Sequence, residues 1–407
     1  MGSEAAVAVP RLRLVRPGER TPAAARAQAE RSMRRILAAL SISVALLTLA
    51  GLVMVLSASS VSAFAKYGSS FLFFKRQLLY AVIGSVALLA ASRVRYQVWQ
   101  RAWVPLLAVS FVLLILVLHP SVGTVAGGAA RWIQIGPVSF QPSELAKFAV
   151  VAACAAVLAR NMKRLDAEPA RWIVPIALIV GSVSLLILLQ PDLGTMMVIA
   201  LAAFLLLFLA GVRLRLLVTT AFFSGVLGFA LIMGKGYRRT RFLSFLHPWS
   251  DPQHTGYQIV QSLIALGSGH LYGVGLGASR QKWTYVPNAH TDFIFAILGE
   301  ELGLLGELIV LALFGAVVYA GIRIALRSPD AFGRLLAGGI TAWLGIQALV
   351  NLGAVTGLLP ITGVPLPFVS FGGSSLIVSL AAVGVLLAIG RAALATETGV
   401  SRTRKQG

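Results

Sequence analysis

Long apolar runs, rather than the alternation of a half-buried strand or the one-sided stripe of a soluble helix, set the pattern of this chain. Runs of about 17–25 apolar residues are long enough to cross a bilayer as helices. Ten such stretches are read: 36–57, 78–92, 103–119, 144–160, 172–189, 194–210, 216–233, 296–321, 335–352 and 373–390. The second and fourth are short and must draw on their flanks. An even number of crossings returns both ends of the chain to one side. Most connections are brief, but residues 120–143 and 234–291 are long, and long ordered connections in a compact membrane protein tend to carry function.

Composition agrees with the pattern. Of 407 residues, 57% are hydrophobic and only 12% charged, half the roughly 25% typical of soluble domains. Mean hydropathy is +0.84. A soluble enzyme and a disordered chain are excluded, and a single cysteine cannot form an internal disulfide. The fold class expected is all-α, a polytopic integral membrane protein of about ten helices. A basic tail over 1–35 is expected to be disordered or bound to a lipid surface, a membrane domain covers 36–392, and a short tail covers 393–407. The 21-residue apolar run at 36–56 is longer than the apolar region of a cleaved signal (about 7–15 residues), so it is read as a retained anchor.

The net charge of +21 would suit nucleic acid, but its distribution argues for topology. With the termini inside, the inner segments hold 24 of the 35 Lys and Arg, the outer segments 10, and Lys147 lies within a span. Basic residues gather in short cytoplasmic loops of membrane proteins. No nucleic-acid role is expected.

Several standard sites fail on spacing. Between Gly228 and Gly234-Lys235 five residues intervene where a phosphate loop has four, and Gly236 replaces its Ser or Thr. The five histidines form no i, i+4 pair, and no Gly-x-Ser-x-Gly elbow occurs. What remains is acids at membrane depth, where ionisable groups are expensive. Asp292, just before an apolar helix, is either an N-cap with Thr291 or a carboxylate beside Arg280, Lys282 and His290. In the second role it would take a proton from a sugar hydroxyl while those cations stabilise a phosphate leaving group. Glu144 and Lys147, three apart on one helical face, are either a self-neutralising pair or part of a substrate site. Asp192 lies in Gln190-Pro191-Asp192-Leu193-Gly194, first of all a turn. Glu300 and Glu307, seven apart with Gly303 between, are placed on one close-packed face.

These blocks, in this order, resemble the SEDS family (shape, elongation, division and sporulation proteins) from about 36 to 392. The resemblance is carried by Arg131-Trp132-Ile133, Gln141-Pro142-Ser143-Glu144-Leu145-Ala146-Lys147, Gln190 to Thr195, Gly256-Tyr257-Gln258, His290 to Ala296, Gly299 to Gly303 and Gly363 to Ser374. Within the family the chain looks most like the FtsW branch, through Ser279-Arg280-Gln281-Lys282-Trp283 and the stretch from Arg238-Arg239 to Pro248-Trp249, rather than RodA. It departs at Asn288, where many relatives carry Glu, and at Phe371, where Tyr is common. The resemblance implies a ten-helix fold, an essential aspartate at Asp292, and polymerisation of lipid II into peptidoglycan strands. It also implies a class B penicillin-binding protein and other divisome proteins as partners. No cofactor is required by the sequence, although a divalent cation would suit a pyrophosphate leaving group. The rivals are a lipid II flippase, which broken segments near 190–194 and 360–373 would suit, a RodA-like elongation polymerase, and a scaffold without catalysis.

Overall fold

The computed structural model describes residues 22–398 apart from 127–128, 137, 235, 284–285 and 287–288. Twelve α-helices are described: α1 (Pro22–Tyr67), α2 (Leu72–Arg93), α3 (Gln97–Leu116), α4 (Pro142–Asn161), α5 (Ala170–Leu189), α6 (Leu193–Leu209), α7 (Leu214–Met233), α8 (Gly236–Leu246), α9 (Tyr257–Ser268), α10 (Ile294–Leu326), α11 (Ala331–Val355) and α12 (Gly373–Thr398). Among the described residues nine helices are long and apolar enough to cross a membrane. The apolar α6, at 17 residues, is about 26 Å long at 1.5 Å per residue and makes the tenth. The chain is a multi-pass membrane protein of all-α fold.

The core is an inside-out version of a soluble one. α4, α11 and α12 are the most enclosed spans, whereas α7 is almost wholly exposed. Its Phe222, Phe223 and Leu227 are 65%, 69% and 61% accessible, as suits side chains whose solvent is hydrocarbon. α4 can sit at the centre because Ala149, Ala152, Ala153, Ala155 and Ala156 let neighbouring backbones approach, the usual means of helix association where lipid removes the hydrophobic drive. The same applies where α2 meets α12: a Cβ on Gly384 would stand 2.3 Å from the Leu88 carbonyl oxygen.

Three features add to or correct the expected outline. First, α1 begins at Pro22, so residues 22–35 of the expected disordered tail are helical, with Arg34 paired to Glu30 at 2.8 Å and Arg327 Nη2 donating to Ser32 Oγ at 3.1 Å. Residues 1–21 and 399–407 lie outside the described residues. Secondly, the 120–143 connection contains a three-stranded antiparallel sheet, β1 (Gly123–Ala126), β2 (Ala129–Ile135) and β3 (Val138–Phe140), and the 234–291 connection contains α8 and α9. Strands of three to seven residues give too short an alternation to register in an apolar chain. Thirdly, α10 is broken. Gly303 adopts φ 65°, ψ −170°, a region essentially reserved for glycine.

The break at Gly303 has a purpose in the backbone. Freed main-chain groups pair with the segment after α9: Val274 and Gly275 N–H donate to the Glu300 and Glu301 carbonyls at 2.9 and 3.1 Å, and Leu304 and Leu305 N–H donate to His270 and Leu271 at 2.9 and 3.2 Å. A Cβ on Gly303 would lie 2.4 Å from the Gly273 nitrogen. Glu300 and Glu307 are therefore not on one continuous face, which corrects the seven-residue spacing argument. Gly303→Ala is expected to cost at least about 1–3 kcal/mol in backbone strain alone, and thermal unfolding of the purified protein in detergent measures it; an unchanged midpoint would mean the bend is not needed.

Candidate functional site

Asp292 sits half-buried where the loop after α9 turns into α10. The N-cap position of α10 is Phe293, so the capping reading of Asp292 is corrected by one residue. Thr291 Oγ1 donates to Asp292 Oδ1 at 2.9 Å. The Asp292 main-chain carbonyl accepts from Asn351 Nδ2 at 2.7 Å, and the same amide nitrogen donates to the Val364 carbonyl at 2.8 Å. A Cβ on Gly363 would be 3.9 Å from Asp292 Oδ2, so the carboxylate faces the 360–372 segment.

That irregular segment is the hub of the site. Buried irregular backbone needs partners for its polar groups, and here side-chain amides supply them. Gln347 Nε2 donates to the Pro365 carbonyl at 2.9 Å, and Gln77 Nε2 to the Ser370 carbonyl at 3.1 Å. Ser370 Oγ accepts from Leu366 N–H at 2.8 Å, and Ser374 Oγ accepts from Gln141 N–H at 3.1 Å. α1 passes so close that a Cβ on Gly51 would be 2.6 Å from the Phe368 carbonyl oxygen.

Glu144 and Lys147 lie beneath this hub. Lys147 Nζ stands 2.9 and 2.8 Å from the two Glu144 oxygens and donates to Gln347 Oε1 at 2.6 Å. Both charged side chains are 1% exposed. Trp343 Nε1 also donates to Gln347 Oε1, at 2.9 Å, and its ring lies 5.4 Å from the ammonium. Glu144 occupies the first turn of α4, where the helix dipole favours an anion. Of the two readings, the geometry fits the self-neutralising pair, linked through Gln347 to the segment that faces Asp292. Asp192 caps α6, accepting from Thr195 N–H at 3.1 Å and Thr195 Oγ1 at 3.0 Å, with Gln141 Nε2 at 3.4 Å. Arg131 of β2 tethers this turn by donating to the Gln190 carbonyl at 2.9 Å and to that of Pro191.

The basic residues separate into two kinds. Arg280 and Arg239 are exposed, whereas Lys282 is 5% accessible. Lys282 Nζ lies 3.4 Å from both Glu301 Oε1 and Ser57 Oγ and donates to the Gly277 carbonyl. It is thus occupied inside the protein rather than presented beside Arg280. No hydrogen bond or ion pair among the described residues joins Arg239 to the Asp292 cluster; the Arg238 side chain and Asn288 lie outside the described residues.

His290 stacks in an aromatic group, 4.6 Å from Phe73 and 5.6 Å from Phe371 between ring centres, and its carbonyl accepts from Phe371 N–H at 2.9 Å. Burial pushes its ring down to about 4, so at neutral pH it carries no charge to offer a phosphate. An unfolded histidine binds its proton near pH 6.5. The unfolded chain therefore holds more protons between about 6.5 and 4, and stability is lost as pH falls through that window. His290→Phe is expected to flatten this acid loss while leaving activity at pH 7 within a few-fold, as thermal midpoints at pH 7.5 and 5 and a turnover assay would read. A tenfold loss at pH 7 would give the imidazole a direct role.

Sequence reading missed Trp343, Gln347 and Asn351. Their spacing of four along an apolar span was the available signal, since amides in a span are costly unless bonded. Among the described residues no group of three His, Cys, Asp or Glu is placed to hold a metal ion. What the cluster offers is one half-buried carboxylate backed by a bonded frame, with the exposed Arg280 on the loop that leads to it.

A family model for a cell cycle protein (FtsW/RodA/SpoVE) matches residues 38–394. The chain is 47% identical over 355 residues to stage V sporulation protein E of Bacillus subtilis strain 168, covering 86% of this chain and 95% of that protein. It is 45% identical over 341 residues to a probable peptidoglycan glycosyltransferase FtsW of Geobacter metallireducens, covering 84% and 91%. Among solved structures, a chain from a peptidoglycan synthase complex that coordinates polymerization and crosslinking matches with a TM-score of 0.72 and 31% identity, covering 87% of this chain and 97% of that one.

Proposed function

The chain belongs to the FtsW/RodA/SpoVE family of cell cycle proteins, and on that premise we propose that it is a peptidoglycan glycosyltransferase that polymerises lipid II. The observation that carries the reading is the half-buried Asp292 carboxylate, whose main chain is fixed by Asn351 and whose oxygen faces the Gly363 turn.

In this mechanism Asp292 accepts the proton of the GlcNAc 4-hydroxyl on the acceptor lipid II. That oxygen forms a bond to the MurNAc anomeric carbon of the growing strand. The bond from that carbon to undecaprenyl pyrophosphate breaks, with inversion, and the proton passes from Asp292 to solvent. Arg280, together with Arg238 and Arg239 of α8, offsets the charge of the departing pyrophosphate. Glu144, Lys147 and Asp192 keep the floor of the site in place through Gln347 and Gln141. Lys282 holds the loop rather than the substrate, because its ammonium is already matched by Glu301. His290 supplies packing. No step is assigned to a metal.

With both termini cytoplasmic, as the basic residues favour, Asp292 faces the outer leaflet of the bacterial plasma membrane, where the lipid-linked substrate resides. The SpoVE and FtsW names of relatives 47% and 45% identical, respectively, favour the division and sporulation side of the family over elongation. A class B penicillin-binding protein is the proposed crosslinking partner, within the divisome at the septum. Purified protein supplied with lipid II alone, with and without that partner, tests the reading. Glycan strands on a gel support it, and no strands under either condition refute it.

A further inference from the structure

The turn that presents Arg280 is held by a carboxylate from the helix that follows Asp292. Glu300, 2% exposed, lies in the first part of α10, before the Gly303 break. Its Oε1 accepts from Arg280 N–H at 2.9 Å, and its Oε2 accepts from Gln281 N–H at 3.3 Å and from Ser279 Oγ. Ser279 Oγ in turn accepts from Lys282 N–H at 3.2 Å. One buried carboxylate therefore ties three successive residues, while the Arg280 side chain leaves the turn into the open.

Glu301 completes the bracket on the other side. Its oxygens accept from Ser57 Oγ of α1 at 2.6 and 2.8 Å, and one takes Ser279 N–H and Lys282 Nζ, each at 3.4 Å. Burying two adjacent acids is expensive unless each is matched by donors, and here main-chain N–H groups, hydroxyls and one ammonium supply them. A bracket that only closed the chain could be apolar. What a carboxylate adds is direction, since charge-assisted bonds from consecutive N–H groups fix the orientation of the turn.

We propose that Glu300 is a positioning residue that sets where the Arg280 guanidinium stands relative to Asp292, and so tunes affinity for the pyrophosphate of the lipid-linked donor. The short helix from Ile294 to Leu302 connects the two groups: Asp292 lies just before its start, and Glu300 grips the Arg280 turn near its end. The main-chain pairing of Val274 and Gly275 with Glu300 and Glu301 stops that helix moving independently of the loop.

This inference rests on the polymerase reading, and its test separates the two. Inhibition of glycan synthesis by added undecaprenyl pyrophosphate is measured for the wild type, Glu300→Gln, Arg280→Ala and the double variant. The product binds through the same pyrophosphate, so its inhibition constant reports on the arginine. Glu300→Gln is expected to raise that constant about tenfold, and the double variant is expected to be no worse than Arg280→Ala alone, because residues acting through one another do not add. Ser279→Ala, which removes a single bond to Glu300, is expected to give a smaller rise of about two- to fivefold, and it serves if Glu300→Gln fails to fold. An unchanged inhibition constant in the folded variants, or losses that multiply in the double variant, overturns the positioning role. A wild type that makes no glycan overturns the polymerase reading instead.

Discussion

Asp292→Asn is expected to abolish lipid II polymerisation while leaving a folded, monodisperse protein. Removing a general base typically lowers turnover by about 10²–10⁴-fold, and the amide cannot accept the proton that the acceptor hydroxyl must lose. The fold is expected to survive because the carbonyl of this residue still accepts from Asn351 at 2.7 Å, and the Asn side-chain oxygen can still accept from the Thr291 hydroxyl that bonds the carboxylate at 2.9 Å. The N-cap of α10 belongs to Phe293, so no helix start is lost with the carboxylate. Gel analysis of glycan products, alongside a thermal midpoint in detergent, checks both halves. A variant that is inactive because it unfolds would assign Asp292 a structural role.

The second large effect is expected at Glu144 and Lys147. Each is 1% exposed, and each oxygen of the one lies within 2.9 Å of the ammonium of the other. Truncating either partner leaves an uncompensated charge in the protein interior, a change that costs about 3–5 kcal/mol in comparable buried pairs. Glu144→Ala and Lys147→Ala are each expected to lower the thermal midpoint sharply. The double replacement Glu144→Gln with Lys147→Met removes both charges, and it is expected to recover much of the loss. Its recovery in stability without recovery of activity would give the pair a direct part in substrate binding. Two single variants as stable as the wild type would contradict the buried pairing.

How much of this was legible in the chain follows from the physics of each feature. Apolar runs gave the spans almost completely, because hydrocarbon thickness fixes a length that composition can display. The pairing of Glu144 with Lys147 was readable from a three-residue spacing inside one helix. The bend at Gly303 was not. The apolar pattern runs straight through it, and only the positive φ and the main-chain pairing with residues 270–275 reveal two segments. Lys282 and Arg280 look equivalent in sequence, two cations on one loop. They diverge because Glu301 and Ser57, from distant parts of the chain, meet around one ammonium. The apolar run showed that Asp292 precedes a helix, but its neighbours across space, Gly363 and Asn351, depend on how the 360–372 segment folds back.

The most direct test of the central claim places wild type and Asp292→Asn side by side in proteoliposomes loaded with lipid II, together with the class B partner. Glycan length and the sidedness of unreacted lipid II are read from the same vesicles. The account predicts long glycan strands from the wild type, none from the variant, and no protein-dependent change in lipid sidedness from either. Strands made by Asp292→Asn, or lipid II moved across the bilayer by a wild type that makes no glycan, would contradict it.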